Sequence, residues 1–214
     1  MSETISWGII GAGDVCEKKS GPALYKAPGS KLAAITKRKP DAAQDFAARH
    51  GVERWYTDPA ELIADDTVDV VYVATPPHLH REFAEQAMRA GKSVLVEKPM
   101  ATNAADCDAM IELSAETGVS LWVAYYRRAL EKFVAIKAAL ESGVIGEPRS
   151  IVLELSQDRA RYAVEGGNGP WRVDPDIAGA GIIADMGSHM LDLIDWFFGP
   201  ISVDSSTAVN RAGD

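Results

Sequence analysis

Residues 5–16 read ISWGIIGAGDVC, an apolar run followed directly by Gly11 and Gly13. Cys16 stands where the dinucleotide-binding fingerprint G-x-G-x-x-G/A has its third small residue, and it is small enough to pack as alanine would. Two glycines permit a tight turn and a close approach of the backbone to a pyrophosphate. The free N–H groups of a following helix, at Asp14 and Val15, would meet the pyrophosphate charge. A purely structural turn could have the same glycine-rich sequence. The surrounding pattern must therefore distinguish a structural turn from a dinucleotide-binding loop.

Short apolar, β-branched runs alternate with alanine-rich helical patterns from residue 5 to about residue 125. This alternation is typical of βαβ units and a parallel α/β sheet, and runs that are apolar at consecutive positions fit strands covered by helices on both faces. The fingerprint therefore follows the first strand of such a sheet, which favours cofactor binding over a structural turn. The six predicted strands are 5–10, 31–36, 54–57, 69–75, 93–98 and 120–125.

Capping signals separate the strands. Asp58, Pro59 and Glu61 are typical of a helix start, Gly91 ends a helix that follows the fourth strand, and a helix over about 103–117 stops at Gly118. Beyond residue 126 the pattern changes, so we predict a second α+β domain over 126–214 after a first domain over 1–125. Its predicted elements are a helix at about 129–141, a strand at 150–156, a glycine- and proline-rich loop at 165–181, an apolar helix at about 184–198 and a strand at 201–210.

Composition excludes several classes of function. The chain has 214 residues and a net charge of −9, with 31 acidic and 22 scattered basic residues, which argues against nucleic acid or an anionic membrane as a partner. Its apolar runs are shorter than the roughly 20 residues of a membrane span, so we predict a soluble cytoplasmic protein. Cys16 and Cys107 are too few for a disulfide framework and lack metal-ligand spacing. His78 and His80 read as capping or surface residues, and no metal site is predicted.

The end of the second predicted strand reads Thr36, Lys37, Arg38, Lys39. An acid at this place would accept a hydrogen bond from the ribose 2′-hydroxyl of NAD, whereas Lys37 and Arg38 would pair with the 2′-phosphate of NADP. The alternative is a solvated basic turn. The sequence thus predicts NADP as the preferred cofactor, with NAD possible.

Polar residues follow the fourth and fifth predicted strands, in ATPPHLH at 74–80 and VEKP at 96–99. Ligands of open α/β sheets bind outside the carboxyl ends of the strands, so these residues should border the cofactor. An ammonium there is a candidate acid or base if desolvation lowers its pKa, and the alternative is a strand-end salt bridge between Glu97 and Lys98. The predicted cofactor contacts at these two ends are Thr75, Pro76, His80, Glu97 and Lys98.

Asp185 and His189 are four residues apart, so on a helix they share one face, with Gly187 removing bulk between them. The carboxylate could orient the imidazole or hold a substrate hydroxyl, and a histidine titrates where proton transfer needs it. The alternative is a helix-terminal acid beside a capping histidine. Predicted substrate contacts, which are equally plausible as packed anchors, are Tyr126, Trp171 and Arg172.

The motifs GAGDVC, ATPPHLH, VEKP and AGAGIIADMGSHMLDLIDWFFG, in this order, resemble the glucose-fructose oxidoreductase, inositol dehydrogenase and MocA (Gfo/Idh/MocA) family over essentially the whole chain. The resemblance implies a Rossmann domain, a doubly wound parallel sheet, followed by a second domain with a large open sheet. It implies a catalytic, substrate-binding Lys98, an often cis Pro99, and Asp185 and His189 as partners across the cleft. Ala180 stands where the family usually has the middle of three glycines.

The resemblance further implies hydride transfer between NAD(P) and a sugar, inositol or related polyol, with Lys98 and His189 handling the hydroxyl proton. The rival hypothesis is a cofactor-binding sensor or regulatory subunit without chemistry. Because relatives carry more strands in the second sheet, we expect a truncated chain whose second domain is incomplete. Its first domain should fold and bind cofactor while turnover is low, and the full-length form should be a homo-oligomer, a dimer or tetramer.

Overall fold

The computed structural model describes residues 4–156, 171, 174–181 and 183–207. These residues form a six-stranded, fully parallel sheet with the strand order β3-β2-β1-β4-β5-β6. The predicted parallel α/β sheet is therefore confirmed, and each predicted strand is present with ends shifted by three residues or fewer. The strands are β1 (Ile5–Ile10), β2 (Ser30–Thr36), β3 (Arg54–Tyr56), β4 (Val70–Val73), β5 (Ser93–Val96) and β6 (Leu121–Val123).

The strand order reverses between β1 and β4, where the chain leaves one half of the sheet and starts the other. Ile10 at the end of β1 pairs with Thr36 of β2 and with Val73 of β4, which in turn pairs with Val96 of β5. The carboxyl ends of four neighbouring strands therefore meet at one edge of the sheet. A crevice outside such a switch point is where doubly wound sheets bind ligands.

Helices cover both faces of the sheet, as buried β4 requires. On one face, Val71 and Val94 pack with Leu62, Met88 and Met110 of the covering helices. The other face is built around a second cluster that includes Ile9, Phe46 and Tyr72. The helices of this first part of the chain are α1 (Asp14–Lys18), α2 (Ser20–Lys26), α3 (Pro40–His50), α4 (Pro59–Ile63), α5 (His80–Arg89) and α6 (Ala104–Thr117).

After β6 the regular elements of the described chain are helices and helical turns. A 3-10 turn at Tyr126–Ala129 leads into α7 (Glu131–Glu141), and α8 (Pro175–Ala178) and a π-helical turn at Ile183–Gly187 precede α9 (Ser188–Phe198). The predicted helix at 184–198 is thus a π turn joined to an α-helix that begins later. The division into domains at residue 125 stays a prediction.

The two strands predicted in the second domain are wrong within the described residues. Residues 150–156 and 201–207 form no strand, and residues 208–210 lie outside the described part of the chain. Val152 is 88% exposed and Val203 is 82% exposed. A β-branched run becomes a strand only where another backbone bonds to it, and among the described residues no backbone hydrogen bond joins either run to another segment.

The segment Pro175–Phe198 is long and apolar enough to be a candidate membrane span by length and composition alone. This signal is weak, because a core helix passes the same test. The segment contains Asp185, which is paired with Lys98 just past the end of β5, and it buries His189 and Asp192. These polar contacts are those of a helix packed in a globular fold.

Candidate active site

The glycine loop that follows β1, residues 11–13, depends on Gly11 for its shape. This residue has φ +83°, and a Cβ atom there would lie 2.8 Å from Cγ2 of Thr75. Its N–H donates to Oγ1 of Thr36 at 3.2 Å. Glycine is therefore required both by backbone conformation and by the close approach of the β4 end.

The helix after the loop begins at Asp14 with Gly13 as its N-cap, and Gly13 offers no capping side chain. The first N–H groups of a helix have no intrahelical partner, so those of Asp14 and Val15 are available to an anion. Cys16 is fully buried, and burial raises the pKa of its thiol to about 12. The thiol therefore stays protonated and serves packing, as predicted.

A polar atom without a partner lies beside the loop. Oγ1 of Thr75, just past the end of β4, is buried and has no hydrogen-bond partner among the described residues. Buried hydroxyls are nearly always bonded, so this atom fits a polar group supplied by a ligand. The residues at this edge of the sheet thus fit a dinucleotide.

The basic turn after β2 is also free of acidic partners. Lys37 is half-buried, with Nζ 5.1 Å from the centroid of the Phe46 ring, and Arg38 is exposed. In the described part of the chain, no carboxylate lies within salt-bridge distance of either cation. Both charges are therefore available to a phosphate.

Lys98 reaches from the end of β5 to the π turn before α9. Its Nζ donates to the main-chain oxygen of Asp185 at 3.1 Å and to the Asp185 carboxylate, and the two side chains are only 17% and 23% exposed. The Lys98–Pro99 peptide bond is cis, as the resemblance implies. The alternative of a salt bridge between Lys98 and Glu97 is not what the structure shows.

The carboxylate of Glu97 instead turns back into the sheet. Oε1 accepts a hydrogen bond from the hydroxyl of Tyr72, and Oε2 accepts one from the main-chain N–H of Lys98 at 3.1 Å. Each carboxylate oxygen is thus bonded within the chain. These bonds favour a structural role for Glu97 beside the cofactor contact predicted for it.

His80 lies between the ends of two strands, and because its neutral ring carries one N–H, it donates to only one of the two carbonyl oxygens that it faces. Its Nε2 lies 2.8 Å from the carbonyl oxygen of Thr75 and its Nδ1 lies 3.0 Å from that of Pro99. The ring is 1% exposed, and burial lowers its pKa. Since both nitrogens face carbonyls of the chain itself, the geometry favours a bracing role for His80 over the cofactor contact that the sequence predicts.

His189 lies in the first turn of α9, directly after the π turn that holds Asp185. Its side chain is buried, and Nδ1 has no hydrogen-bond partner among the described residues. Burial, followed by the positive charges of Lys98 and Arg127, lowers the pKa of His189 to about 4, against the opposing effect of Asp185. The imidazole is therefore neutral at pH 7 and able to accept a proton. π turns inserted before α-helices are frequent at functional sites.

The loop before the π turn needs fewer glycines than the family pattern suggests. Gly179 has φ +65°, and a Cβ there would lie 2.8 Å from the main-chain oxygen of Thr102. Gly181 also has a positive φ, whereas no described non-glycine residue does. Ala180 thus takes an ordinary conformation between two required glycines. Because Gly179 has no side chain, the loop packs closely against the main chain of Thr102, which follows Pro99.

The predicted substrate contacts have different outcomes. The ring of Tyr126 is 57% exposed and meets His189 edge-on, with 5.2 Å between ring centroids. Trp171 is half-buried, and its main-chain oxygen accepts the N–H of Asp174 at 3.2 Å. Arg172 lies outside the described residues. The structure therefore brings Tyr126 to the cluster of Lys98, Asp185 and His189.

Sequence reasoning missed the anchor of α9. Arg128 in the 3-10 turn donates from Nε to Oδ1 of Asp192 at 2.9 Å, and the Asp192 side chain is buried. From the sequence alone, Asp192 is expected to serve only packing or solvation on this helix. Its position three residues after His189, on the same side of the helix, was the available signal.

The sheet order, the glycine loop and the free Thr75 hydroxyl define a dinucleotide-binding protein of the Rossmann class. Residues 5–125 match the family model described as an oxidoreductase family with an NAD-binding Rossmann fold, and residues 133–213 match the Gfo/Idh/MocA C-terminal domain. The chain belongs to the Gfo/Idh/MocA family of oxidoreductases, which confirms the resemblance.

Several relatives are similar over most of this chain. An oxidoreductase of Formosa agariphila is 40% identical over 94% of this chain and 63% of its own length. A myo-inositol 2-dehydrogenase of Thermotoga maritima is 33% identical over 86% of this chain and 54% of its own length. The structure of a 3-ketoreductase from Actinomadura kijaniata, in complex with NADP and TDP-benzene, matches with a TM-score of 0.75 and 31% identity, over 92% of this chain and 58% of that one. The chain spans less than two thirds of the length of each.

Proposed function

We propose that this chain carries the cofactor site and catalytic cluster of an NAD(P)-dependent oxidoreductase. Its substrate would be a sugar, inositol or related polyol. The observation that carries the proposal is the contact between Lys98 and Asp185 beside a neutral, buried His189, at the carboxyl edge of a Rossmann sheet. Relatives named myo-inositol 2-dehydrogenase and 1,5-anhydro-D-fructose reductase support this substrate class.

Each member of the cluster has a distinct task. A bound nicotinamide would supply the hydride acceptor or donor. The ammonium of Lys98, oriented by Asp185, donates a hydrogen bond to the reacting substrate oxygen. The neutral imidazole of His189 accepts the hydroxyl proton when an alcohol is oxidised and returns it when a carbonyl is reduced. Asp185 also steadies the positive charge that develops on the imidazole.

The remaining predicted residues surround this cluster. The pyrophosphate would lie on the N–H groups that follow Gly11 and Gly13, with the Thr75 hydroxyl and Pro76 along the cofactor. Tyr126 would form a wall of the substrate side, because it is exposed and touches His189. Trp171 and Arg172 are proposed to complete that wall.

The preferred cofactor is proposed to be NADP. Lys37 and Arg38 follow the end of β2, where Rossmann domains bind the adenosine ribose. Neither cation has an acidic partner in the described part of the chain. Two uncompensated cations favour a 2′-phosphate over a bare hydroxyl. NAD remains an alternative cofactor.

The proposal also covers the whole protein. We place a cofactor domain at 1–125 and the start of a substrate and oligomerisation domain at 126–214, in a cytoplasmic enzyme whose full-length form is a homo-oligomer. The rival sensor or regulatory subunit gains no support from the relatives, which are named as dehydrogenases and reductases.

A cofactor reduction screen tests this function. The chain is incubated with NADP⁺ or NAD⁺ and a panel of aldoses, inositols and other polyols, and absorbance of the reduced cofactor is followed, with keto sugars and NADPH for the reverse reaction. We expect turnover on at least one sugar or polyol, lost in His189→Asn. Tight cofactor binding with no turnover on any member of the panel would favour the sensor.

A further inference from the structure

Tyr72 is a buried residue of β4 whose polar end has no role in the site described so far. Its side chain is 0% exposed, and its hydroxyl lies 2.9 Å from Oγ of Ser20 at the start of α2 while it donates to Glu97. A core strand position would be filled equally well by phenylalanine. The hydroxyl is therefore explained by the hydrogen bonds that it makes and not by packing.

The partner of Tyr72 is the residue that fixes the main chain of Lys98. The N–H of Glu97 makes the last sheet bond of β5, to the Val73 oxygen at 2.9 Å. The next N–H, that of Lys98, lies beyond the sheet, and Pro99 has none to offer. The Glu97 carboxylate accepts the Lys98 N–H at 3.1 Å, and so holds the first residue past the strand.

On the other side of the same bend, His80 Nδ1 lies 3.0 Å from the Pro99 oxygen, within hydrogen-bond distance. Lys98 is therefore bracketed by Tyr72 and Glu97 before it and by His80 after it. Burial and the neighbouring Glu97 carboxylate raise the pKa of Tyr72, so the phenol keeps the proton that it donates.

We propose that Tyr72 is a positioning residue for Lys98, acting through Glu97, so that the ammonium is aimed at Asp185 and the substrate oxygen. Ser20 extends the link to the start of α2, which couples the position of that helix to the direction of Lys98. The catalytic part of this inference rests on the proposed function. The positioning part does not need it.

Tyr72→Phe removes only the hydroxyl, and Tyr25→Phe is its matched control. The Tyr25 hydroxyl lies 3.3 Å from Nδ1 of His50, in a contact between α2 and α3. The first measurement needs no substrate: the rate of reductive methylation at Lys98, mapped by mass spectrometry of the whole chain. We expect Tyr72→Phe to raise this rate about fivefold, the factor that corresponds to one lost hydrogen bond, and Tyr25→Phe to leave it unchanged.

The second measurement is turnover on a substrate found by the screen. Tyr72→Phe should lower kcat about fivefold, with the substrate KM and the NADPH dissociation constant unchanged, when kcat is referred to the concentration of chain that binds NADPH. Because unfolded chain is then left out of the concentration, a purely structural loss of stability would not lower this kcat. Glu97→Ala should have at least as large an effect on both readouts. In that background, Tyr72→Phe should add nothing, because Tyr72 acts through Glu97.

The outcomes separate the two proposals. An unchanged Lys98 methylation rate in both Tyr72→Phe and Glu97→Ala would overturn the positioning role, as would strictly additive losses in the double variant. If Tyr72→Phe fails to fold, Glu97→Ala alone decides by the same methylation rate. A raised methylation rate in the variants would support the positioning role even if neither they nor the unmodified chain showed turnover. That absence of turnover would contradict the proposed oxidoreductase function.

Discussion

Lys98 and Asp185 are 87 positions apart in sequence, yet Nζ of the first lies 3.1 Å from the main-chain oxygen of the second and pairs with its carboxylate. This contact joins the end of β5 to the π turn before α9. It places a cation from the end of the parallel sheet beside a histidine of α9. The end of β5 and the π turn must therefore both be correctly placed for Lys98, Asp185 and His189 to come together.

The seating of the π turn depends on Gly179. Gly179→Ala adds a methyl group 2.8 Å from the Thr102 oxygen at φ +65°, whereas Gly118→Ala adds one at φ +69° with nothing within 4 Å. Gly118→Ala bears the cost of a left-handed alanine, about 1 kcal/mol, and Gly179→Ala bears at least as much, because with ψ −114° its backbone lies outside the left-handed region. Only Gly179→Ala adds a clash, so we expect it to lower the free energy of unfolding by a further ~1–3 kcal/mol in urea titrations. Equal losses in the two variants would show that the contact with Thr102 is not tight.

The buried imidazole of His189 makes stability depend on pH. Its folded pKa of about 4 lies below the ordinary value of 6.5, so between these pH values the unfolded chain binds a proton that the folded chain does not. Stability should thus fall as pH falls from about 6.5 to about 4, by at most about 3 kcal/mol from this residue. His80, whose pKa is also lowered, adds to the same trend.

His189→Asn isolates the contribution of His189, with the exposed His78→Asn as the matched control. Unfolding free energies measured at pH 4.5 and pH 7 should differ less in His189→Asn than in the unmodified chain. His78→Asn should retain the full difference. A His189→Asn variant with an undiminished pH dependence would contradict a buried, neutral His189.

The cofactor preference can be measured separately from turnover. Lys37→Ala combined with Arg38→Ala should weaken NADPH binding about fivefold or more at low salt and leave NADH binding unchanged, because the lost contacts are made only to the 2′-phosphate. The gap between the two cofactors in the unmodified chain should shrink as salt is added, since exposed charges are screened. Fluorescence titration gives the affinities.

Lys31→Ala is the control for this experiment, since it removes an exposed cation near the opposite end of the same strand. It should change neither affinity. Equal binding of NADPH and NADH by the unmodified chain at low salt would exclude the preference for NADP.

Much of the first domain follows from local sequence patterns. The runs that form β1 and β4 are apolar over consecutive positions, Gly11 is demanded by a positive φ, and Gly118 ends α6 in the left-handed conformation. Each of these features depends on residues near one another in the chain. Their positions could therefore be predicted closely.

The features that were missed depend on distant partners. The strand at 150–156 was predicted from β propensity, which does not say whether a second backbone lies beside it. Tyr72 reads as an ordinary strand residue, and its bond to Glu97 joins side chains 25 positions apart. The π turn at Ile183–Gly187 differs from an α-helix only in its main-chain bonds, so the spacing of Asp185 and His189 indicated a shared face without revealing it.

Lys98→Met tests the central claim most directly, because it removes the ammonium and retains an unbranched side chain of similar length. Its matched control is Lys26→Met at the exposed end of α2. The measurement is turnover with the active sugar or polyol, made alongside the NADPH dissociation constant of each variant. We expect Lys98→Met to lose on the order of 10²- to 10⁴-fold in turnover while cofactor affinity stays within about threefold and Lys26→Met behaves as the unmodified chain. Turnover retained by Lys98→Met would contradict a catalytic role for Lys98.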